Sequence, residues 1–173
     1  MSDERLLKAV DAVMPSLAHL FAGIGAATAD AVGIARDAFG AKETLCAEMV
    51  RDFAHGQGLD AAFDPVGNLA ITAAGALGEA PEVLVASHVD SVPRGGNYDG
   101  LAGVLAGIGA LVALRDAGIA IPGLRVLAFR GEESPWFGTA YLGSKLFLGQ
   151  IGSAERARLR RFDTGLTLAE HMQ

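Results

Sequence analysis

The apolar positions of the first sixty residues recur with the period of α-helices. Residues 3–22 form one such segment, and Pro15 is expected to kink or interrupt it because proline lacks the backbone N–H of an interior helical position. Residues 42–57 form a second segment, with charged side chains on its other face. Its apolar stripe is formed by Leu45, Cys46, Met49, Val50 and Phe53. We expect this helix to pack by that stripe.

After Gly58 the pattern changes to short apolar runs bounded by turn residues, which indicates β-strands. The predicted strands cover residues 61–63, 68–73, 83–87 and 124–129. The run 83–86 has no polar alternation, a pattern typical of a central strand that is covered on both faces.

Two further helices are predicted among these strands, at about 100–117 and 140–148. The first contains the longest apolar stretch, 101–114, which Arg115 ends before the roughly twenty residues that a membrane-spanning helix needs. We therefore interpret it as a buried helix, with Asp99 near its N-cap.

The order strand, helix, strand, helix predicts an α/β fold with a layered, largely parallel sheet, flanking helices and a right-handed crossover. A length of 173 residues is typical of one domain. Within it we expect an N-terminal helical region (1–40), a core that carries the functional site (41–150) and a polar tail (151–173).

Composition excludes several functional classes. The net charge of −6 and the sequence pI near 5.1 argue against nucleic acid as a partner, because binding to phosphates relies on clustered lysine and arginine. Cys46 is the only cysteine, so no disulfide framework is expected, and we expect its side chain to be buried. The N-terminus lacks the pattern of a secretory signal. We therefore expect a cytoplasmic protein without a membrane partner.

The candidate chemistry is concentrated in two loops. His88, Asp90 and Asp99 follow the strand predicted at 83–87, and Glu132 and Glu133 follow the strand predicted at 124–129. Ligands of α/β sheets gather at the carboxyl ends of the strands, so these loops are expected to meet. Imidazole and carboxylate groups together favour a site for a divalent cation.

Each of these side chains suits one part of a metal hydrolase. A neutral His88 could bind a metal through one ring nitrogen while Asp90 accepts the N–H of the other. Asp99 offers two oxygens that could bridge two cations. Glu133 could bind one cation while Glu132 takes a proton from a water and returns it to a leaving nitrogen.

Simpler interpretations apply to each residue alone. A single histidine after a strand is usually a hydrogen-bonding group, paired glutamates are usually solvated, and Asp99 could be a helix cap. The combination favours a site, because two apolar strands each end in a polar cluster. Structural or surface roles are expected for His19, His55 and His171. A solvated helix face or a linker is expected for Arg156, Arg158, Arg160 and Arg161.

Five segments, taken in order, form a specific set: residues 63–69, 87–93, 95–100, 131–134 and 141–144. From about residue 40 onwards the chain resembles the hydantoinase/carbamoylase amidases of the M20 metallopeptidase superfamily. The resemblance implies that His88, Asp99 and Glu133 are metal ligands with Asp99 as the bridge. It also implies that Glu132 is the general acid/base and that Asp90 supports His88 in the catalytic set.

The resemblance further implies two divalent ions, which are zinc, manganese, cobalt or nickel in this family. Its members are cytoplasmic, typically homodimeric enzymes that act on N-carbamoyl-L-amino acids, 3-ureidopropionate or allantoate. Many members have Gly and then Ser-Arg-Phe after the glutamate pair, whereas this chain has Ser-Pro-Trp-Phe at 134–137, which is expected to alter the pocket wall.

Family members are longer than this chain and continue into a dimerisation domain and a final histidine ligand. The chain therefore resembles an N-terminal fragment of the catalytic domain, and we expect weak metal binding and little or no hydrolysis by it alone.

The main functional hypothesis is a metal-dependent amidohydrolase that cleaves the C–N bond of an N-carbamoyl amino acid or a related ureido compound. One alternative is an M20 aminopeptidase or dipeptidase, against which the segment 94–99 argues. The other is a non-catalytic interaction protein that retains the centre of the fold.

Overall fold

A computed structural model describes residues 2–77 and 83–173 of the chain. Its helices are α1 (Ser2–Thr28), α2 (Ala41–Gly56), α3 (Leu101–Asp116), α4 (Leu142–Phe147), α5 (Ser153–Arg156) and α6 (Leu168–His171). Its strands are β1 (Leu59–Phe63), β2 (Leu69–Ala73), β3 (Val83–His88) and β4 (Leu124–Phe129). The predicted alternation of strands and helices is confirmed.

The four strands form one sheet in the order β1-β2-β4-β3. The α/β class with flanking helices is confirmed, and β3 pairs with β4 in parallel across the crossover formed by α3. The expectation of a largely parallel sheet needs correction, since β1 with β2 and β2 with β4 are antiparallel among the described residues. The cause is the hairpin at 64–67, where Asp64 accepts hydrogen bonds from the backbone N–H groups of Val66 and Asn68.

The interpretation of β3 as a central strand covered on both faces is wrong. β3 lies at the edge of the sheet beside β4, and Val83, Leu84 and Val85 are 46%, 47% and 40% exposed. β4 pairs with β2 on one side and with β3 on the other, and it is largely buried. An apolar run indicates a strand, but it shows neither which strands lie beside it nor how far its side chains are covered.

Helices α2 and α3 pack on the sheet, and α1 packs on both of them. α1 is continuous through Pro15, which corrects the expected interruption. Pro15 lies on an exposed side together with Asp11, so water can reach the carbonyl group that the proline leaves without its helical donor. Length and composition would also allow α1 to cross a membrane, a test that core helices of soluble proteins pass as well.

The buried face of α2 differs from the predicted stripe. Cys46 and Val50 are fully buried at its centre, whereas Leu45 is 39% exposed. Glu43, expected among the solvated charges of this helix, is completely buried. Its carboxylate faces the loop that follows β4, which replaces water as its hydrogen-bonding environment.

A second apolar cluster lies beneath α4 and includes Phe39, Trp136, Phe137 and Leu168. Residues 151–173, expected as a polar tail, contribute α5, α6 and the fully buried Leu168 to this part of the molecule. Arg161, expected to be solvated, is buried because it forms ion pairs with Asp37 and Asp163.

Candidate metal centre

The parallel register of β3 and β4 brings the two polar loops together. His88, the last residue of β3, lies opposite Phe129, the last residue of β4. Both strands therefore end at the same edge of the sheet, and the loop bearing Glu132 and Glu133 begins beside His88. The prediction that the two loops meet is confirmed.

The His88 ring is held between two sets of acceptors. Its Nδ1 lies 3.1 Å from the backbone oxygen of Asp90 and 3.3 Å from the Oδ1 of the same residue. Its Nε2 lies 3.5 Å from Asp99 Oδ1 and 3.7 Å from Glu132 Oε2. A proton on Nδ1 satisfies the Asp90 acceptors and leaves the lone pair of Nε2 facing the other carboxylates.

His88, Asp99 and Glu133 form a group that could hold a metal ion. One potential ligand atom from each residue lies within 4.8 Å of the other two. Two ligand atoms that are each about 2.1 Å from a tetrahedral zinc lie roughly 3.4 Å apart, so the Nε2 to Asp99 distance of 3.5 Å suits a shared ion. The His88 side chain is largely buried, whereas that of Asp99 is 73% exposed and open to solvent.

The carboxylates around this group shift its protonation equilibria. Burial lowers the pKa of His88, but the hydrogen bond and charge of Asp90, together with the charges of Glu132 and Asp99, raise that pKa to about 9. The pKa of Glu133 is raised overall, because burial and the charges of the neighbouring acidic groups raise it more than the charge of His88 lowers it. Such an accumulation of negative charge attracts a cation, which would replace the proton on His88.

Asp90 contacts both loops of the site. Its carboxylate is completely buried and accepts hydrogen bonds from the backbone N–H groups of Glu132 at 2.9 Å and Glu133 at 3.0 Å. The next residue, Ser91, accepts a 2.7 Å hydrogen bond from Trp136 Nε1 through its backbone oxygen. Trp136 is thus a buried support of this loop, since the cavity beside His88 is lined by other residues.

Arg36, which sequence reasoning missed, supports the loop that bears Asp99. Its fully buried guanidinium donates hydrogen bonds to the backbone oxygen of Val89 at 2.5 Å, to Asn97 Oδ1 at 2.8 Å and to the backbone oxygen of Asp99 at 3.3 Å. A lone arginine before a helix carries no sequence signal for this role, because its acceptors lie more than fifty residues away.

Gly100 separates Asp99 from α3 and lies against the His88 ring. It is the N-cap of α3 and has a φ of 70°, so Asp99 lies next to the cap as expected, although no side chain caps the helix. A Cβ at Gly100 would lie 2.5 Å from His88 Nδ1. Only glycine allows this close approach without moving the ring.

Several residues in the recognised segments hold the frame of the site. Asn68 is fully buried, accepts a hydrogen bond from Arg130 N and donates one to the backbone oxygen of Gly143. The segments 63–69 and 141–144 thus hold the loop after β4. His19 and His55 are exposed, and His171 contacts Thr164, as expected for residues outside the site.

A cavity of about 370 Å³ opens beside the potential ligands. It is lined by Ala86, Ser87, His88, Phe129, Arg130, Glu132, Tyr141 and Ser144. The volume lies in the range of small-molecule sites, and the lining combines apolar rings with a carboxylate and hydroxyl groups.

Comparison with known proteins identifies relatives. The chain is 34% identical over 142 residues to an N-carbamoyl-L-amino acid amidohydrolase of Geobacillus stearothermophilus, covering 82% of this chain and 34% of that protein. It is 37% identical over 99 residues to a ureidoglycolate hydrolase of Arabidopsis thaliana, covering 57% of this chain and 21% of the relative. No protein-family profile matches the chain.

Solved structures show the same similarity. A hydantoinase/carbamoylase family amidase from Burkholderia ambifaria superposes with a TM-score of 0.79 at 30% identity, over 91% of this chain and 39% of the other. The chain thus spans about a third of the length of the relatives that it matches.

Proposed function

Because this chain belongs to the hydantoinase/carbamoylase family of amidases, we propose that it supplies part of the centre of a metal-dependent amidohydrolase. The reaction is hydrolysis of the C–N bond of an N-carbamoyl amino acid or a related ureido compound. The observation that carries the proposal is the group formed by His88, Asp99 and Glu133 at the ends of two parallel strands, within 4.8 Å of one another. The activity belongs to the whole protein, of which these residues form one part of the site.

The donor set fits divalent cations. His88 would bind through Nε2, Glu133 through one carboxylate oxygen, and Asp99 through two oxygens that could bridge a pair of ions. Such ions supply a Lewis acid for the ureido carbonyl and favour ionisation of water near neutral pH. Imidazole and carboxylate ligands are compatible with zinc, manganese, cobalt and nickel.

Glu132 is the proton carrier of the proposal. Its Oε2 lies 3.7 Å from His88 Nε2, and the residue lines the cavity. Its carboxylate takes one proton from the attacking water as the oxygen bonds to the carbonyl carbon. The same proton then passes to the nitrogen that leaves when the C–N bond breaks. Asp90 keeps the His88 proton on Nδ1, so that Nε2 stays available.

The cavity beside Glu132 is the proposed place of the ureido group. Tyr141 and Ser144 offer hydroxyl groups there, and Phe129 offers an apolar wall. We also propose a cytoplasmic location and small-molecule substrates. The buried free thiol of Cys46 and the net charge of −6 are consistent with that proposal.

Activity assays of the whole protein with N-carbamoyl amino acids test the function. We expect hydrolysis to require a divalent metal and to be lost on chelation. Glu132→Gln is expected to lower kcat by about 10² to 10⁴ while the bound metal is retained, because it removes the proton carrier and no ligand. Glu48→Gln on the exposed side of α2 is the matched control and is expected to keep full activity.

Two outcomes would replace the proposal. Unchanged behaviour of Glu132→Gln would favour a non-catalytic interaction protein. Cleavage of peptides with no turnover of carbamoyl compounds would favour an aminopeptidase or dipeptidase.

A further inference from the structure

Three consecutive backbone N–H groups in the loop after β4 donate to buried carboxylates. Gly131 N donates to Glu43 Oε1 at 2.7 Å, Glu132 N to Asp90 Oδ1 at 2.9 Å and Glu133 N to Asp90 Oδ2 at 3.0 Å. The two carboxylates come from different elements, Glu43 from α2 and Asp90 from the loop after β3. We call this pair the carboxylate clamp.

Glu43 is tied to the same loop by further hydrogen bonds. Its Oε2 accepts from Arg130 Nε at 2.6 Å and from the backbone N–H of Phe39 at 2.7 Å. Arg130 also donates to Thr44 Oγ1 at 2.9 Å, and its guanidinium lies 4.9 Å from the centre of the Phe39 ring. The two residues that precede the glutamate pair are therefore both bound to Glu43, Arg130 through its side chain and Gly131 through its backbone N–H.

Stability alone does not account for a carboxyl group in this position, where burial raises the pKa of Glu43 to about 7 although the charge of Arg130 and the hydrogen bond from Gly131 lower it. Glu43 and Asp90 are each 0% exposed, and burial of a carboxylate costs more free energy than an ion pair commonly returns. An apolar residue at position 43 would fill the same space without that cost, but it could not accept the hydrogen bond of Gly131. The location of the buried carboxyl group therefore points to a role in the geometry of the loop.

We propose that Glu43 is a positioning residue, which fixes Gly131 so that the next two N–H groups reach Asp90 and the Glu132 and Glu133 side chains face the His88 group. The inference rests on the proposed function of those glutamates. Glu132 and Glu133 are adjacent but have different proposed roles, so the main chain must hold each side chain in its own fixed direction. With the Gly131 N–H unpaired, the loop would keep Asp90 and the hydrogen bonds that its carbonyl oxygens accept from the backbone of 141–143, but it would lose its tie to α2.

Amide hydrogen exchange of the metal-free chain tests the clamp directly. In the wild type we expect the N–H groups of Gly131, Glu132 and Glu133 to exchange as slowly as those of β4, although they lie outside the regular strands. Glu43→Gln replaces one acceptor oxygen by an amide donor and is expected to accelerate exchange at the three positions at least tenfold. Glu48→Gln, the same change at an exposed position of α2, is expected to leave them unchanged.

The wild-type measurement is informative even if Glu43→Gln does not fold. Rapid exchange of these three amides in the wild type would show that the carboxylate clamp does not protect them. Unchanged exchange in a folded Glu43→Gln variant would overturn it as well.

Metal affinity and kinetics of the whole protein test the positioning role. We expect Glu43→Gln to lower metal affinity or kcat 10- to 100-fold with little change in KM, as is typical of groups that orient ligands. Faster exchange with wild-type affinity and kcat would overturn positioning. Absence of metal binding and activity in the wild type would instead refute the proposed function, and exchange would still decide the clamp.

Discussion

Gly100 illustrates how a single missing side chain shapes the candidate centre. We expect Gly100→Ala to lower the affinity for zinc at least tenfold, because the new Cβ would lie 2.5 Å from His88 Nδ1 and displace the ring. The positive φ of 70° adds a strain of about 1 to 3 kcal/mol for a residue with a side chain. Calorimetric titration and chemical unfolding measure the two effects.

Gly96→Ala is the control for this substitution, since no atom lies within 4 Å of a Cβ at that position. An affinity of Gly100→Ala equal to that of Gly96→Ala would contradict the account of the His88 ring.

Cys46 offers a second test at the scale of one residue. Burial raises the pKa of its thiol to about 12, so the reactive thiolate is scarce at pH 8 and the sulfur is out of reach. We expect no reaction with a disulfide reagent in the folded protein and complete reaction after unfolding in denaturant, followed by absorbance. Stoichiometric labelling of the folded chain within seconds would contradict this packing.

The grouping of the potential ligands was predictable because chemistry and position coincided in the sequence. His88, Asp99 and Glu133 follow apolar strands, so their grouping could be inferred before any coordinates. Glu43 and Arg36 could not be inferred. Each is a charged residue of a type that is usually solvated, and each is buried against partners that are distant in sequence.

At the scale of elements, the exposed edge of β3 has a consequence for solution behaviour. An edge strand with exposed apolar side chains is a template for pairing with another chain. We expect the isolated chain to associate as its concentration rises, and Leu84→Lys to reduce that association, since a charge in the middle of the edge must be desolvated on pairing. Light scattering over a concentration series measures the effect.

Leu7→Lys on α1 is the control, because Leu7 is 65% exposed but lies far from the sheet edge in sequence. Association that Leu7→Lys and Leu84→Lys reduce equally would show that general surface charge is responsible.

The type and approximate bounds of the helices and strands were predictable from the sequence, but the order of the strands in the sheet was not. The sequence pattern located α3 and β4 closely because each is a nearly continuous apolar run between turn residues. The same pattern misplaced β3, because an apolar edge and an apolar centre look alike. It also misjudged Pro15, whose effect depends on whether water reaches the freed carbonyl group.

At the scale of the molecule, metal binding should be coupled to folding, because the ligands come from two loops that only the folded chain brings together. A metal at about a hundredfold excess over its dissociation constant adds about 2.7 kcal/mol to the free energy of unfolding. We expect this gain in urea unfolding of the wild type with zinc and its loss in His88→Ala. His19→Ala, an exposed position on α1, is expected to retain it.

An equal gain in His88→Ala would show that the ion binds elsewhere. The overall architecture supports the coupling, since α3 connects β3 to β4 and packs beneath both of them. Any loss of that packing would separate His88 from the glutamate pair.

Anomalous X-ray diffraction from crystals grown with zinc or manganese tests the central claim most directly. The account predicts one or two peaks that lie about 2.0 to 2.2 Å from His88 Nε2, from the Asp99 carboxylate and from a Glu133 carboxylate oxygen, with Asp99 shared where two ions bind. A bound ion away from these atoms, or no ion at this edge of the sheet at saturating metal, would contradict it.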